Sequence, residues 1–513
     1  MALDREINAS RSWLHAKVFE TCGYPSEILL DRLMQRLVEL SLYPYASAVN
    51  AHRTITDNCL PPPGTKINCR RAFMETGSGR VTLTPRQWVV NQFDFLLHWA
   101  FCLYAILSVR KGSGDNLPAV LVLGVGEEVI FADKTDEQFV SYCRNGPIEP
   151  LRKGRRLLVE SSMEALSSKH PQFVYVKRPL IDLLREARLG FIGRSRLAAN
   201  HLMLFFAYLY RVIRFPQLSL LGKDLAYSSI SFELDRRRLI ESIVLTCSSF
   251  SCQPIWVRTL RHSKVHMIWY AQNWKPVAYV FDNLRADHPS LRWIRVDTDW
   301  VWTRAFAEYL NSLCRGSSIK VVGPIVWYIP EINPRVNDSI EVVIFDVPAF
   351  NDDIALRNGE ITNYNHPINL RAFIHDVISL KPEIERIFEL PVTFSLKMKR
   401  GYATDYDRAY FDYVDELASR GEISLKPYST NLYSLVSGSD LVIAYPFTSP
   451  AYVAECLGLP SIYYDPTKSI VRQDFGDSSA LIYFVSGAQD LRKIVVSTLR
   501  KVLSERAPAL VIP

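Results

Sequence analysis

Two successive series of short, continuous apolar runs, separated by stretches of helical spacing, constrain this chain more than any other feature of its sequence. The first opens at Pro118–Gly124 (PAVLVLG) and passes directly into GVGEE. It continues through Arg155–Ser161, Phe173–Val176, Ser242–Thr246, His266–Tyr270, Val277–Phe281, Trp293–Val296 and Ile319–Ile325, with helices expected at Thr135–Arg144 and Trp300–Leu313. The second opens at Ile340–Phe345 (IEVVIF), with further strands expected at Val392–Lys397, Ile423–Leu425, Leu441–Ala444 and Ser461–Tyr464. Between them fall helices at Pro367–Leu380, Asp407–Ser419, Leu432–Val436 and Ala451–Leu457, with a closing helix at about Ala488–Ser504. Continuous apolar runs read as strands covered on both faces, and strands alternating with helices build parallel sheets. Two such series meeting near residue 320 predict an α/β chain with two doubly wound domains, 116–320 and 321–513. The carboxyl ends of their sheets would face a common cleft, where ligands of such folds bind. Residues 1–115 read as a mainly helical N-terminal extension, with helical spacing at Ser26–Leu42 and a break at Leu60–Thr65 (LPPPGT).

A chain of 513 residues exceeds what one hydrophobic core supports, which agrees with two domains or more. The net charge of +7 is a mild excess over a long chain. It suits an anionic ligand or membrane surface and does not call for nucleic acid. The nine cysteines are scattered, without a CxxC pair or zinc spacing, as expected of reduced thiols. The start, MALDREINASRSW, has no apolar run behind a basic segment, so the expected location is cytoplasmic.

Two apolar stretches leave alternatives open. Phe95–Val109 (FLLHWAFCLYAILSV) falls short of the ~20 residues that span a bilayer and reads as a buried core helix or as an interfacial one. Lys177–Phe215 sets Arg178, Arg185, Arg188, Arg194, Arg196, Arg211 and Arg214 around the block HLMLFFAYLY. That pattern fits a core helix with solvated arginines, or peripheral contact with the inner membrane through 177–215.

The chemistry concentrates in Asp440–Asp465 (DLVIAYPFTSPAYVAECLGLPSIYYD), which reads as strand, tight turn, helix, turn, strand. Thr448 or Ser449 can cap the helix and Pro450 suits its first turn. A helix start carries unpaired N–H groups and partial positive charge, so it attracts a nucleotide phosphate. Glu455, six residues beyond Ser449, is spaced to accept hydrogen bonds from ribose hydroxyls. An ordinary capped helix is the plain alternative. A second cluster, Lys397, Lys399 and Arg400, closes a strand with three cations suited to a phosphate or sugar carboxylate. Glu127 and Glu128 follow the first strand of the first series and would face the cleft as base or nucleophile.

Other strings carry less. The Gly124–Gly126 pair lacks the third glycine of a dinucleotide fingerprint. His366-Pro367 sits one element too early for a catalytic His-Pro pair. Asp297-Thr298-Asp299 falls at the edge of an expected helix and is discounted as a metal-binding loop. No HExxH, GxSxG or P-loop occurs in a fitting context.

YPFTSP followed by AECLGLPSIYYD resembles the bacterial polysaccharide-biosynthesis family named for its PFTS motif. Phe139–Leu151 (FVSYCRNGPIEPL), His266–Asn273 (HMIWYAQN), Val301–Thr303, Val321–Pro324 and Leu396–Arg400 resemble it too, over roughly residues 117–505. Such proteins resemble transferases of the GT-B fold, two Rossmann-like domains facing a cleft, and in particular bacterial sialyltransferases and Kdo transferases. The resemblance implies a metal-independent glycosyltransferase that needs no cofactor beyond its nucleotide-sugar donor, a CMP-activated ulosonic acid. The acceptor would be a glycan or lipid-linked glycan of capsule or lipopolysaccharide. It implies that Phe447, Thr448, Ser449 and Glu455 bind the nucleotide. Lys397, Lys399 and Arg400 would lie where sialyltransferases carry their His-Pro pair. The acid/base would be Glu127 or Glu128, with Asp133 a weaker choice, and Asn273 would lie on the acceptor side. The sialyltransferase Asp-Asp/Glu-Gly motif is absent, which leaves the stereochemistry open. A CDP-polyol phosphotransferase of the same fold and a non-catalytic nucleotide-binding subunit are the rival readings.

Overall fold

A computed structural model describes residues 66–68, 73–76, 79–82, 85–109 and 117–506. The last span has breaks at 110–116 before it and, within it, at 132–134, 163–168, 215, 248–252, 259, 272–279, 281–290, 292–293, 314–315, 329–337, 351–365, 404–405 and 473–479. The helix expected at Ser26–Leu42 lies outside the described residues. Three short strands, β1 (Lys66–Asn68), β2 (Phe73–Thr76) and β3 (Gly79–Thr82), pair antiparallel. The described part of the N-terminal region is therefore not all helical. The helix α1 (Pro85–Ser108) follows. It buries Phe95, Cys102, Ala105 and Ile106 while leaving Phe93, Leu97 and Tyr104 exposed, so it is neither a fully buried core helix nor a detached one.

The first parallel sheet comprises β4 (Ala119–Leu123), β5 (Leu157–Glu160), β6 (Phe173–Val176), β7 (Ile240–Thr246), β8 (Lys264–Trp269), β9 (Thr298–Val301) and β10 (Ser318–Val321). Its order is β10-β9-β8-β7-β4-β5-β6. Between β6 and β7 lies the 24-residue helix α2 (Phe191–Arg214). The second sheet holds β11 (Ile340–Phe345), β12 (Val392–Lys397), β13 (Ser424–Lys426), β14 (Leu441–Ala444), β15 (Ser461–Asp465) and β16 (Ile482–Ser486), in the order β13-β12-β11-β14-β15-β16. The helix α3 (Ser449–Cys456) joins β14 to β15. In each sheet the first strand is central and the winding reverses beside it, between β4 and β7 and between β11 and β14. Those reversals are the crevices in which doubly wound sheets bind ligands. The expected two-Rossmann architecture is present.

The central strands explain why the pattern was so legible. All five residues of β4 and all four of β14 are buried, as helices on both faces require. The pattern misled around β9. The strand expected at Trp293–Val296 is irregular at its described residues, and the extended segment is Thr298–Val301, where a helix was expected to begin; the helix starts at Arg304. A buried carboxylate disguised this strand: Asp299 accepts a hydrogen bond from Trp269 Nε1 at 2.7 Å. Of Val277–Phe281 only Val280 is described, in a turn, and the strand β16 had no counterpart among the expectations.

The two sheets share a hydrophobic cluster that runs from Val120 and Phe139 through Trp302 and Trp327 to Phe447 and Tyr452. Trp327, in the segment leaving the first sheet, packs on Phe139 and Tyr142, while its neighbour Tyr328 meets Tyr433 edge-on at 5.9 Å. The domains thus meet through aromatic contacts.

Candidate functional site

The carboxyl edge of the second sheet carries the densest chemistry. Lys397 pairs with Phe345, and Phe345 with Ala444, so β12, β11 and β14 end at one level. Two strand spacings separate the outer pair by about 10 Å. The loops after all three strands therefore leave from a single rim at the β11/β14 reversal.

Asp346, the residue after β11, organises that rim. It is buried, accepts the backbone N–H of Lys399 at 2.7 Å and accepts the hydroxyl of Tyr410 at 2.6 Å. Burial pushes its carboxyl up to about 6, against the opposing pull of Tyr410, the Lys399 amide and the charges of Lys399 and Lys397. Lys397 and Lys399 are half-buried and Arg400 is exposed. Burial pulls both lysines below their usual range; the Asp346 charge opposes this and the Arg400 charge adds to it. Sequence reasoning found the cations and missed the carboxylate that fixes their loop. An aspartate directly behind the apolar run IEVVIF was the available signal.

The turn after β14 is held in a costly conformation. Phe447 has φ +62°, the left-handed region that a bulky side chain rarely enters. Its ring is buried, stacked on Phe484 and tilted against Tyr463. Thr448 is buried as well, and its hydroxyl donates to the carbonyl of Tyr445 at 2.8 Å. Its carbonyl accepts the Tyr463 hydroxyl. That threonine proton is therefore committed to the strand end. Ser449 and Pro450 are half-buried, so the amino end of α3 is not sealed inside the protein. Glu455 is half-buried further along α3, beside Cys456, whose thiol is pushed up to about 12 by burial and then by the Glu455 charge.

α3 also reaches the other domain. Tyr452, in its first turn, packs edge-on against Trp302, just beyond β9, at 5.4 Å. The amino end of α3 therefore stands at the junction of the two strand-end rims.

On the first sheet's rim, Gly124 turns the chain with φ +79°. Its N–H donates to Glu160 Oε2 at 3.1 Å, and its carbonyl accepts the Thr246 hydroxyl at 2.5 Å. Glu127 is tied to the loop after β5. Its Oε1 accepts from Ser161 Oγ at 3.1 Å, from the Ser162 N–H at 2.6 Å and from Ser162 Oγ at 2.5 Å. Glu160, half-buried at the end of β5, was not singled out from the sequence. Burial raises its carboxyl, partly offset by the Gly124 hydrogen bond. Glu128 lies in the short helix Glu127–Ile130 with its side chain outside the described residues, as are Asp133 and Asn273. Asp297 accepts the Val265 N–H at 2.8 Å and the Lys264 ammonium at 3.1 Å, while His366 accepts the Ile368 N–H at a helix start.

The sequence profile of the polysaccharide biosynthesis PFTS motif proteins matches residues 204–495, which includes the Lys397–Arg400 cluster and the whole of Asp440–Asp465. The chain belongs to that family. No curated protein matches it by sequence. Among solved structures, it is similar to TarM at 13% identity and TM-score 0.31, over 51% of this chain and 48% of that one, so it spans about half of TarM's length. It is also similar to the wall teichoic acid polymerase TagF with CDPG (10% identity, 83% and 92% coverage, TM-score 0.38). HepE of Anabaena, in complex with UDP and glucose, is similar at 10% identity, 76% and 95% coverage and TM-score 0.38. Likenesses this remote carry no argument about chemistry; for this PFTS-family chain the strand order speaks for the fold.

Proposed function

We propose that this PFTS-family chain is a cytoplasmic glycosyltransferase that moves a sugar from a nucleotide donor to a surface-polysaccharide acceptor. The donor we assign is a CMP-linked ulosonic acid, and the acceptor a glycan or lipid-linked glycan. One observation carries the reading: a half-buried pair of lysines, fixed by a buried aspartate, shares a rim and a strand-order reversal with the open amino end of α3. Anion-stabilising groups preorganised at such a crevice suit a nucleotide-phosphate leaving group.

In this reaction the bond between the anomeric carbon and the nucleotide phosphate breaks, and the electron pair stays on the phosphate. Lys397, Lys399, Ser449 and the first N–H groups of α3 take up the growing negative charge. Phe447 and Thr448 hold the turn that presents them, and Glu455 is assigned to the ribose. The acceptor hydroxyl oxygen bonds to the anomeric carbon and its proton passes to a carboxylate of the first sheet's rim. Glu160 fits the base role because burial raises its proton affinity toward the working range of a general base. Glu127 then positions the rim; Glu128 and Asp133 remain assigned as alternative acid/base groups, Asn273 to the acceptor and Arg400 to the donor.

The test combines binding and turnover. Melting of the full chain is measured with CMP, CDP, UDP, CMP-sugars and CDP-glycerol; a shift with CMP and its sugars is expected by mass action. Ser449→Ala, Lys397→Ala and Glu160→Gln are each expected to cut turnover by about tenfold or more. No shift with any nucleotide, or unchanged turnover in the Ser449 and Lys397 variants, sinks the site. A shift and turnover with CDP-glycerol alone replaces glycosyl transfer by polyol-phosphate transfer.

A further inference from the structure

The helices α1 and α2 pack antiparallel on the first domain. The Trp99 ring stacks on His201 at 5.3 Å, the two residues exchange hydrogen bonds through Trp99 Nε1 and His201 Nε2, and Phe95 lies on Tyr208 at 3.9 Å. Near the other end Arg194 donates to the Val109 carbonyl at 2.6 Å. Inward, α1 gives Cys102, Ala105 and Ile106, and α2 gives Leu197, to the core beside the first sheet.

Outward the pair is apolar. On α1, Val89, Phe93, Leu96, Leu97, Tyr104 and Leu107 recur at helical spacing and are all exposed, Phe93 at 68% and Leu107 at 63%. On α2, Ile192, Met203, Phe206, Tyr210 and Ile213 do the same, Phe206 at 65% and Ile213 at 77%. At ~1.5 Å per residue each helix runs about 36 Å, far more apolar surface than scattered exposed residues create. Among described residues, Trp88–Ser108 is also the one segment long and apolar enough to cross a membrane, yet its inner face is spent on the core.

The charges on the pair decide its partner. α2 has four arginines and no acidic residue, and α1 has Arg86 and a single acid, Asp94. Antiparallel packing sets the exposed Arg196 beside the Val109 end of α1, and the exposed Arg86 lies at the opposite end of the pair, so an exposed cation flanks an uncharged stripe at each end. A protein partner would need only the apolar face, whereas cations at the rim of such a face match anionic headgroups around an acyl boundary. We propose that the α1/α2 face is a membrane-docking platform that seats the chain on an anionic bilayer, lying in the interface without spanning it. The inference is independent of the donor assignment. It would bring a lipid-linked acceptor to the same molecule.

The test is sedimentation of the full chain with phosphatidylcholine vesicles, with and without phosphatidylglycerol, alongside light scattering without lipid. Binding to the anionic vesicles, weakened by salt, is expected. The exposed substitutions Phe93→Ser with Phe206→Ser should lower the vesicle partition constant by about tenfold or more, and Arg196→Glu should weaken binding chiefly at low salt. Melting temperatures of the variants, expected near that of the parent, show that the fold is intact. Failure to bind anionic vesicles, or binding that ignores the substitutions, overturns the proposal. So does a dimer in lipid-free solution that Phe93→Ser with Phe206→Ser converts to monomer, because the face would then belong to a second copy.

Discussion

Asp346→Asn isolates the electrostatics of the second rim. Asp346 is buried with its carboxyl pushed up to about 6, while an aspartate in the unfolded chain titrates near ~3.9. Between those values the folded state holds a proton that the unfolded state has released. The folded state is therefore favoured below the lower value, and this contribution is lost as pH rises through about 6. Two units at ~1.36 kcal/mol each amount to about 3 kcal/mol. Asparagine cannot titrate. Its carbonyl can still accept the Lys399 N–H, and its amide can donate to the Tyr410 oxygen once that hydroxyl rotates; the hydroxyl proton then loses its acceptor, a cost that does not vary with pH. The expected outcome is that stability of the variant relative to the parent rises by about 3 kcal/mol from roughly pH 4 to pH 8, all other titrating groups cancelling in the difference. Paired thermal or urea melts across that range measure it. A gap that does not change with pH, or a variant that loses ground as pH rises, refutes the assignment of a buried, proton-holding carboxyl.

Two further outcomes follow from packing. Replacing Phe447 by glycine relieves the left-handed backbone by about 1 kcal/mol but removes a buried ring worth about 3–5 kcal/mol, so a net loss of roughly 2–4 kcal/mol is expected. Phe447→Ala should be the less stable of the two, and a gain of stability in either variant contradicts the packing account. Burial pushes the Cys102 and Cys456 thiols up to about 12, so alkylation of the folded chain near neutral pH should be slow at both and recover in denaturant. Labelling of either at the rate of a free thiol would show that it is exposed.

The central strands of the second domain were legible because their runs are mostly buried: β11, β12 and β14 fall where Ile340–Phe345, Val392–Lys397 and Leu441–Ala444 were expected. The motif turn was legible from local chemistry, since the tight turn and the start of α3 follow from Pro446, Thr448 and Pro450 within a few residues. The strand β9 was not, because Asp299 looks like a surface carboxylate until Trp269 is brought against it.

The sequence by itself determined where β11, β12 and β14 end, which cations follow β12, and that a helix opens after Phe447; these are local matters of spacing, turn chemistry and apolar continuity. Only the tertiary structure decided that Asp346 holds the Lys399 loop, that Tyr452 of α3 meets Trp302 while Ser449 stays reachable, and that α1 and α2 pair while each leaves an apolar stripe exposed. The physical reason is distance along the chain. Whether a polar group is bound, buried or free depends on partners tens to hundreds of residues away, and no local pattern encodes which of them arrives.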